Sequence, residues 1–250
     1  MRPKLNILAL GLLLTILNPI NASAIGDYDG VWVGPLNISF SIFNETLNAG
    51  TIIYQESANV LHQFDQVFGK VEMVKSGNQW VITSPLDINY AGINFIVSTF
   101  TLTFLSDSHF TSSINFTADG IPGNGSIDAY KQTCQILKNN STLTGLNGAV
   151  DSVKCYEINL PSGTTDLDLQ TMGGAGDADL FLAYHRPFTE WENYFSENLD
   201  NNEQIFVPKP KDGKWYIVIV GFEAYSGMSL NIIYQAIKAM PWVPLLLLYK

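Results

Sequence analysis

The sequence predicts an all-β protein, with an N-terminal antiparallel β-barrel or sandwich followed by a C-terminal jelly-roll-like β-sandwich. Three observations carry that expectation. Polar and apolar residues alternate in Asn37-Ile38-Ser39-Phe40-Ser41-Ile42-Phe43 and Phe100-Thr101-Leu102-Thr103-Phe104, as strands with one wet face must. Turn chemistry recurs at hairpin spacing, in Ser76-Gly77-Asn78, Ser106-Asp107-Ser108 and Gly120 to Gly125. Ala178 to Tyr184 and Trp215 to Val220 are near-continuous apolar runs, the mark of strands covered on both faces.

The composition excludes several classes of function. Of 250 residues, 46% are hydrophobic and 14% charged, too apolar for intrinsic disorder and ample for a packed core. The 13 basic and 23 acidic residues give a net charge of −10 and form no basic cluster. A counterion-release grip on phosphates is therefore not expected, and nucleic acid is not the partner.

Residues 1–24 read as an export signal. Arg2 and Lys4 make a charged start, Ile7 to Ile16 an apolar stretch, and Ala22-Ser23-Ala24 a small-x-small cleavage pattern. The stretch is too short for a good membrane span, and no span is expected in the mature chain. Losing Arg2 and Lys4 leaves 13 − 2 = 11 basic against 23 acidic residues, a mature charge of −12. The expected location is outside the cytoplasm, periplasmic or extracellular. In such an oxidising compartment Cys134 and Cys155, the only two cysteines, are expected to pair. The bridge would close a loop of about 20 residues, worth roughly 3 kcal/mol in the chain-entropy model.

Residues 27–132 hold about eight short strands, with Ser57 to Gln66 the one stretch with room for a short helix. Residues 133–150 are polar and turn-rich, as in Asn139-Asn140-Ser141-Thr142, and read as a linker and domain start. Residues 151–235 return to strand patterning, with Cys155-Tyr156-Glu157-Ile158-Asn159-Leu160 alternating before the turn at Pro161-Ser162-Gly163. Residues 236–250 end in the apolar Pro241-Trp242-Val243-Pro244-Leu245-Leu246-Leu247-Leu248-Tyr249. That tail must be covered, either by returning to the protein's own sheet or by docking to a partner or membrane.

Two resemblances add to this reading. Gly30-Val31-Trp32 is similar to the Gly-x-Trp that opens lipocalin-like barrels, which implies a pocket for small apolar ligands; the alternative is a core tryptophan on the first strand. The second half resembles the bacterial pre-peptidase C-terminal domain from about residue 139 to 235. The resemblance rests on three ordered blocks: Leu143-Thr144-Gly145 with Tyr156 to Thr165, then Gly173-Gly174-Ala175-Gly176-Asp177-Ala178-Asp179-Leu180-Phe181-Leu182, then Gly213 to Ile219 with Gly221 to Leu230. Val220 stands where the family often has a basic residue, and Cys155 lies in a strand that often has none. The resemblance implies a secreted, non-catalytic module appended to peptidases and other exported hydrolases, where it aids secretion or substrate binding. Related collagen-binding sandwiches bind calcium.

The residues themselves offer few sites for chemistry. There is no His-Glu-x-x-His pair and no Gly-x-Ser-x-Gly elbow, and His62, His109 and His185 are far apart without acidic neighbours arranged as triad or metal partners. No catalytic residue is assigned. Asp177 and Asp179, two apart on a strand, share one face after a glycine-rich loop whose carbonyls can turn inward. With Glu203, and with Asn201 and Asn202 if their loop folds back, they form a candidate calcium site; the alternative is that the aspartates only cap the turn. Trp191, Tyr194 and Phe195, among the acids of residues 190–203, form either a contact surface or aromatics folded onto the sandwich. The expected function is an exported, non-catalytic binding or accessory protein with a protein or polysaccharide partner outside the cytoplasm. The alternatives are a small apolar ligand carrier working through the barrel, or a secreted hydrolase.

Overall fold

The computed structural model describes residues 28–41, 43–65, 69–90, 92–184 and 193–236. The expected export signal at residues 1–24, His185, Trp191 and the apolar tail from residue 237 lie outside the described residues. The fold is all-β, and the chain divides into two units after Cys134.

The first unit runs through β1 (Gly30–Phe40), β2 (Phe43–Gln55), β3 (Val60–Asp65), β4 (Gly69–Ser76), β5 (Gln79–Val81), β6 (Leu86–Tyr90), β7 (Ile93–Ser106), β8 (His109–Ala118) and β9 (Ile121–Lys131). Each strand pairs antiparallel with its neighbour, β9 returns to β1, and β5 closes the ring on β7. Of the two architectures expected, the barrel is the one formed. Strands β5 and β6 lie end to end along the long β7, with Trp80 opposite Leu102 and Leu86 opposite Val97. They are two halves of one strand, interrupted at Thr83-Ser84-Pro85, where proline has no N–H to give to the ladder. No helix forms over the described residues 57–65, and Gln66 lies outside them. Ser57 instead caps a turn, its Oγ accepting from the N–H groups of Asn59 and Val60, and β3 follows at once.

The barrel interior is filled by the apolar half of each alternating strand, including Ile53, Phe100, Leu102, Phe110 and Ile127. Trp32 is fully buried, and its Nε1–H donates to the carbonyl of Tyr28 at 3.0 Å. The rings of Phe104 and Phe110 stand 5.5 and 5.2 Å from it, and Tyr28 stacks on Phe104 at 3.7 Å. Gly30-Val31-Trp32 thus opens a strand whose tryptophan belongs to the core.

The second unit is a sandwich of two sheets. One contains β10 (Gln135–Ile136), β12 (Val153–Leu160), β17 (Gly213–Gly221), β14 (Ala178–Tyr184) and β15 (Asn193–Ser196) in that spatial order. The other contains β11 (Ser141–Gly148), β18 (Tyr225–Gln235), β13 (Thr165–Met172) and β16 (Gln204–Val207). Residues 133–150 therefore hold two strands of this unit as well as turns. Their polar composition follows from position, because β10 and β11 are edge strands and expose much of their length.

Between the sheets lie Ile158, Leu167, Leu169, Leu180, Trp215, Ile217 and Leu230. A disulfide joins Cys134 to Cys155. The strand register explains how they meet: β10 runs parallel to β12 with Gln135 opposite Tyr156, which sets the preceding residues side by side.

Candidate functional site

The glycine-rich loop 173–176 leaves β13 and delivers the chain to β14, so it crosses from one sheet to the other. Its backbone is pinned on one side by Ala175, which exchanges both hydrogen bonds with Ser226 at 2.9 Å. Gly176 adopts a φ of +98°, and a Cβ there would stand 2.1 Å from the Ala224 carbonyl oxygen. Only glycine fits that approach. The N–H of Glu223 then donates to the Asp177 carbonyl at 3.0 Å, which fixes the start of β14.

On the other side, residues 197–203 fold back onto the same loop. Asn201 donates through Nδ2 to the Gly173 carbonyl at 3.1 Å, and the Gly173 N–H donates to Asn202 Oδ1 at 3.2 Å. Asp200 in turn accepts from the Asn202 N–H at 2.8 Å and from its Nδ2 at 2.9 Å, bonds that hold its carboxyl below the usual carboxylate range. Thr171 ties the base of the loop, its hydroxyl donating to the Asn201 carbonyl and accepting from the Glu203 N–H.

Asp177, Asp179, Asn201 and Glu203 are 7%, 4%, 2% and 1% exposed, an unusual burial for three acids in one region. Burial pushes the Asp179 carboxyl up to about 7, reinforced by the carboxylates of Glu197, Asp177 and Glu203. Asp177 is raised as well, first by burial and then by Glu223 and Asp200. Glu203 is already engaged: Oε1 accepts from the Asn198 N–H at 2.7 Å, and Oε2 accepts from Asn198 Nδ2 and from the Ser196 hydroxyl. Asp177 Oδ1 and Asn201 Oδ1 are buried with no hydrogen-bond partner. Buried acceptors of this kind cost free energy unless a donor or a cation satisfies them. Among the described residues, no three His, Cys, Asp or Glu side chains form a metal cluster of their own. A cation here would need amide and carbonyl oxygens beside the carboxylates, the mixture that calcium accepts.

The structure thus gathers Asp177, Asp179, Asn201, Asn202 and Glu203 around one loop. Thr171, Ser196, Asn198 and Glu223 were not singled out from the sequence. Thr171 did leave a signal, being a polar residue in the inward register of Leu167 and Leu169. The aromatic residues separate: Tyr194 turns onto the core beside Trp215, with ring centroids 6.3 Å apart, while Phe195 is exposed.

Two histidines do have acidic partners, contrary to the expectation from spacing alone. His62 Nε2 lies 2.5 Å from Glu56 Oε2, and His109 Nε2 lies 2.5 Å from Asp128 Oδ1. Strand pairing explains both: β3 returns antiparallel beside β2, whose end leads into Glu56, and β8 sets His109 opposite Tyr130, two residues from Asp128. His62 is 2% exposed and closed to any substrate. His109 is stacked on Tyr130 at 4.3 Å.

Residues 152–221 match the family model of the bacterial pre-peptidase C-terminal domain. The matched segment runs from the start of β12 to the end of β17 and includes the Gly173–Gly176 loop and both aspartates. Alkaline serine exoprotease A of Vibrio alginolyticus is 30% identical over 96 residues, 38% of this chain and 18% of that protein. The microbial collagenase of Vibrio parahaemolyticus serotype O3:K6 is 29% identical over 109 residues, 41% of this chain and 13% of that protein. The chain thus spans less than a fifth of either relative. Among solved structures, a beta-porphyranase of glycoside hydrolase family 86 from Bacteroides plebeius aligns over 76% of this chain and 39% of its own. Its identity of 14% and TM-score of 0.22 carry no argument. In peptidases the pre-peptidase C-terminal domain is a non-catalytic part.

Proposed function

We propose that this is an exported, non-catalytic binding or accessory protein. In this reading its pre-peptidase-type unit, held by calcium, engages a protein or polysaccharide outside the cytoplasm. The observation that carries the reading is the loop 173–176 and its surroundings, a matched family segment in which buried carboxylates meet acceptors that no protein donor satisfies. Asp177, Asp179 and Asn201 would hold the cation, with Glu203 adding negative charge beside them. Calcium would supply cross-linking between the two loops and no reaction chemistry. The Vibrio proteins that share this segment are a protease and a collagenase, which supports a role beside secreted peptidases.

The non-catalytic part is tested with the purified mature chain on casein, gelatin and p-nitrophenyl esters. No turnover is expected with or without calcium. Turnover abolished by one Ser or His substitution, His109→Ala foremost, would return the hydrolase reading.

A further inference from the structure

The outer surface of the barrel carries a second feature, distinct from the calcium-type loop. Five neighbouring strands place uncharged hydrogen-bonding side chains opposite one another. One row reads Thr46, Asn37, Ser126, Ser113 and Thr101 across β2, β1, β9, β8 and β7. Two residues along, Ser39, Asn124 and Asn115 repeat the pattern across the three central strands. The alternate positions, Leu36, Ile127 and Ile114, point into the barrel core. Rows so built are spaced about 4.8 Å across the strands and roughly 7 Å along them.

Ordinary solvation does not require this surface. A solvated sheet face usually mixes charges of both signs, as β4 does with Lys70 and Glu72. Neither row contains a charged residue. The rows also frame a cleft of about 230 Å³, to which Asn37, Ser39, Asn44, Thr46, Asn124 and Ser126 contribute, with Glu45 its one charged lining residue. Its side chains are partly pre-set, since Thr46 donates to Asn37 Oδ1 at 2.7 Å; at the far side of the face Asn115 donates to Thr99 Oγ1 at 2.7 Å. Further along β9 the same outward line continues through Asp128 to Tyr130, a residue 52% exposed whose ring is backed by His109. From Asn124 to Tyr130 this line extends roughly 20 Å.

Amides and hydroxyls that both donate and accept, a flanking carboxylate, and an exposed aromatic ring together suit one ligand chemistry. A polyanion would call for Lys or Arg, which the face lacks, and a protein partner would call for an apolar centre. We infer that this face of the barrel binds a neutral, hydroxyl-rich polysaccharide, laid along β9 from the Asn37–Asn124 cleft toward Tyr130. The inference rests on the general reading of a binding protein but not on the calcium-type loop.

Native gel electrophoresis of the full mature chain in gels cast with laminarin, xyloglucan, galactomannan or agarose tests it, with anionic alginate as the comparison. The acidic chain should be retarded by at least one neutral polysaccharide and not by alginate, and molar salt should leave the retardation intact. Asn37→Ala with Asn124→Ala should weaken the apparent affinity at least fivefold while the melting curve stays at wild type. Ser126→Arg, which fills the cleft, should do the same, and Lys70→Ala on the other side of the barrel should change nothing. The Asp177→Asn, Asp179→Asn chain should bind as well as wild type, which separates this site from the calcium reading. Migration unaltered in all four neutral polysaccharides, retardation that survives both cleft variants, or retardation by alginate alone would overturn the inference.

Discussion

Asn201 donates its side-chain amide to the Gly173 carbonyl across 3.1 Å, while its own Oδ1 lies buried without a hydrogen-bond partner. The bond fixes where that oxygen sits, beside a loop that also buries Asp177 Oδ1 unsatisfied. A cation binding only the native state would stabilise it by RT ln(1 + [L]/Kd), about 2.7 kcal/mol at a hundredfold excess over Kd. Calcium should therefore raise the melting temperature by several degrees. Asp177→Asn with Asp179→Asn should abolish the gain. If the aspartates are turn caps alone, calcium will leave the curve unmoved, and Asp177→Ala will still cost about 1 kcal/mol.

The Asp179 carboxyl gives a pH dependence whose sign is fixed. Its value rises to about 7 from the ordinary 3.8, so between those limits the folded chain holds a proton that the unfolded chain has released. Stability must then fall as pH rises through that window, by up to about 1.4 kcal/mol per pH unit. In chelator, wild type should melt lower at pH 8 than at pH 5, and Asp179→Asn should flatten the trend. Bound calcium should offset the loss, because the cation takes the place of the proton. A wild-type melting point that climbs between pH 5 and 8 in chelator would contradict the buried-acid account.

Two neighbouring glycines should respond differently to the same change. Gly176→Ala sets a Cβ 2.1 Å from the Ala224 carbonyl oxygen at a φ of +98°, so backbone must move. The cost should be about 3 kcal/mol or more. Gly173 has a φ of +72° but open space around its would-be Cβ, so Gly173→Ala should cost only about 1–2 kcal/mol. Equal losses in urea unfolding would mean that the loop is not held as described.

Much of this was legible in the sequence because it is local. The alternation at Phe100–Phe104 names the inward residues of β7, and the run Gly173 to Leu182 marks the loop and its strand. Closure of the barrel was not legible, since it depends on Trp80 meeting Leu102, a pairing that no local pattern encodes. Residues 133–150 read as a linker and domain start, and their two strands stayed hidden because edge strands such as β11 carry the polar, turn-rich composition that linkers share. At the site, the two aspartates were visible from their spacing. The clamp of Ser196 and Asn198 on Glu203 was not, because it exists only once β15 and β16 bring those residues together.

The Cys134–Cys155 bridge lies at an exposed sheet edge where β10 contributes only a two-residue strand. The covalent link reinforces so short a ladder, beside the Leu137 N–H bond to the Glu157 carbonyl at 2.8 Å and the burial of Leu137 in the core. Cys134→Ser with Cys155→Ser should lower the unfolding free energy by roughly 3 kcal/mol, the chain-entropy figure for a loop of this size. Thiol labelling of denatured, unreduced protein should find no free cysteine, and two labelled thiols would refute the pairing.

The carrier alternative meets its test at Trp32. In the native barrel the indole is fully buried, with Phe104 and Phe110 against it and Tyr28 accepting from its Nε1–H. A carrier needs empty apolar volume beside this indole, on the side where Phe104 and Phe110 stand 5.5 and 5.2 Å away. Trp32→Ala should therefore cost about 3–5 kcal/mol, the usual penalty for deleting a core aromatic. If the barrel survives that loss, the space left is lined by aromatic carbon and should stay dry, as apolar cavities do. The variant should then bind a small apolar probe such as benzene and be stabilised by it, while wild type is not. Should the variant fail to fold, Phe104→Ala opens the same region from its other side and serves the same purpose. Saturable binding of benzene or a fatty acid to the wild-type barrel, with quenching of Trp32 fluorescence, would show that the rings leave room after all and would restore the carrier reading.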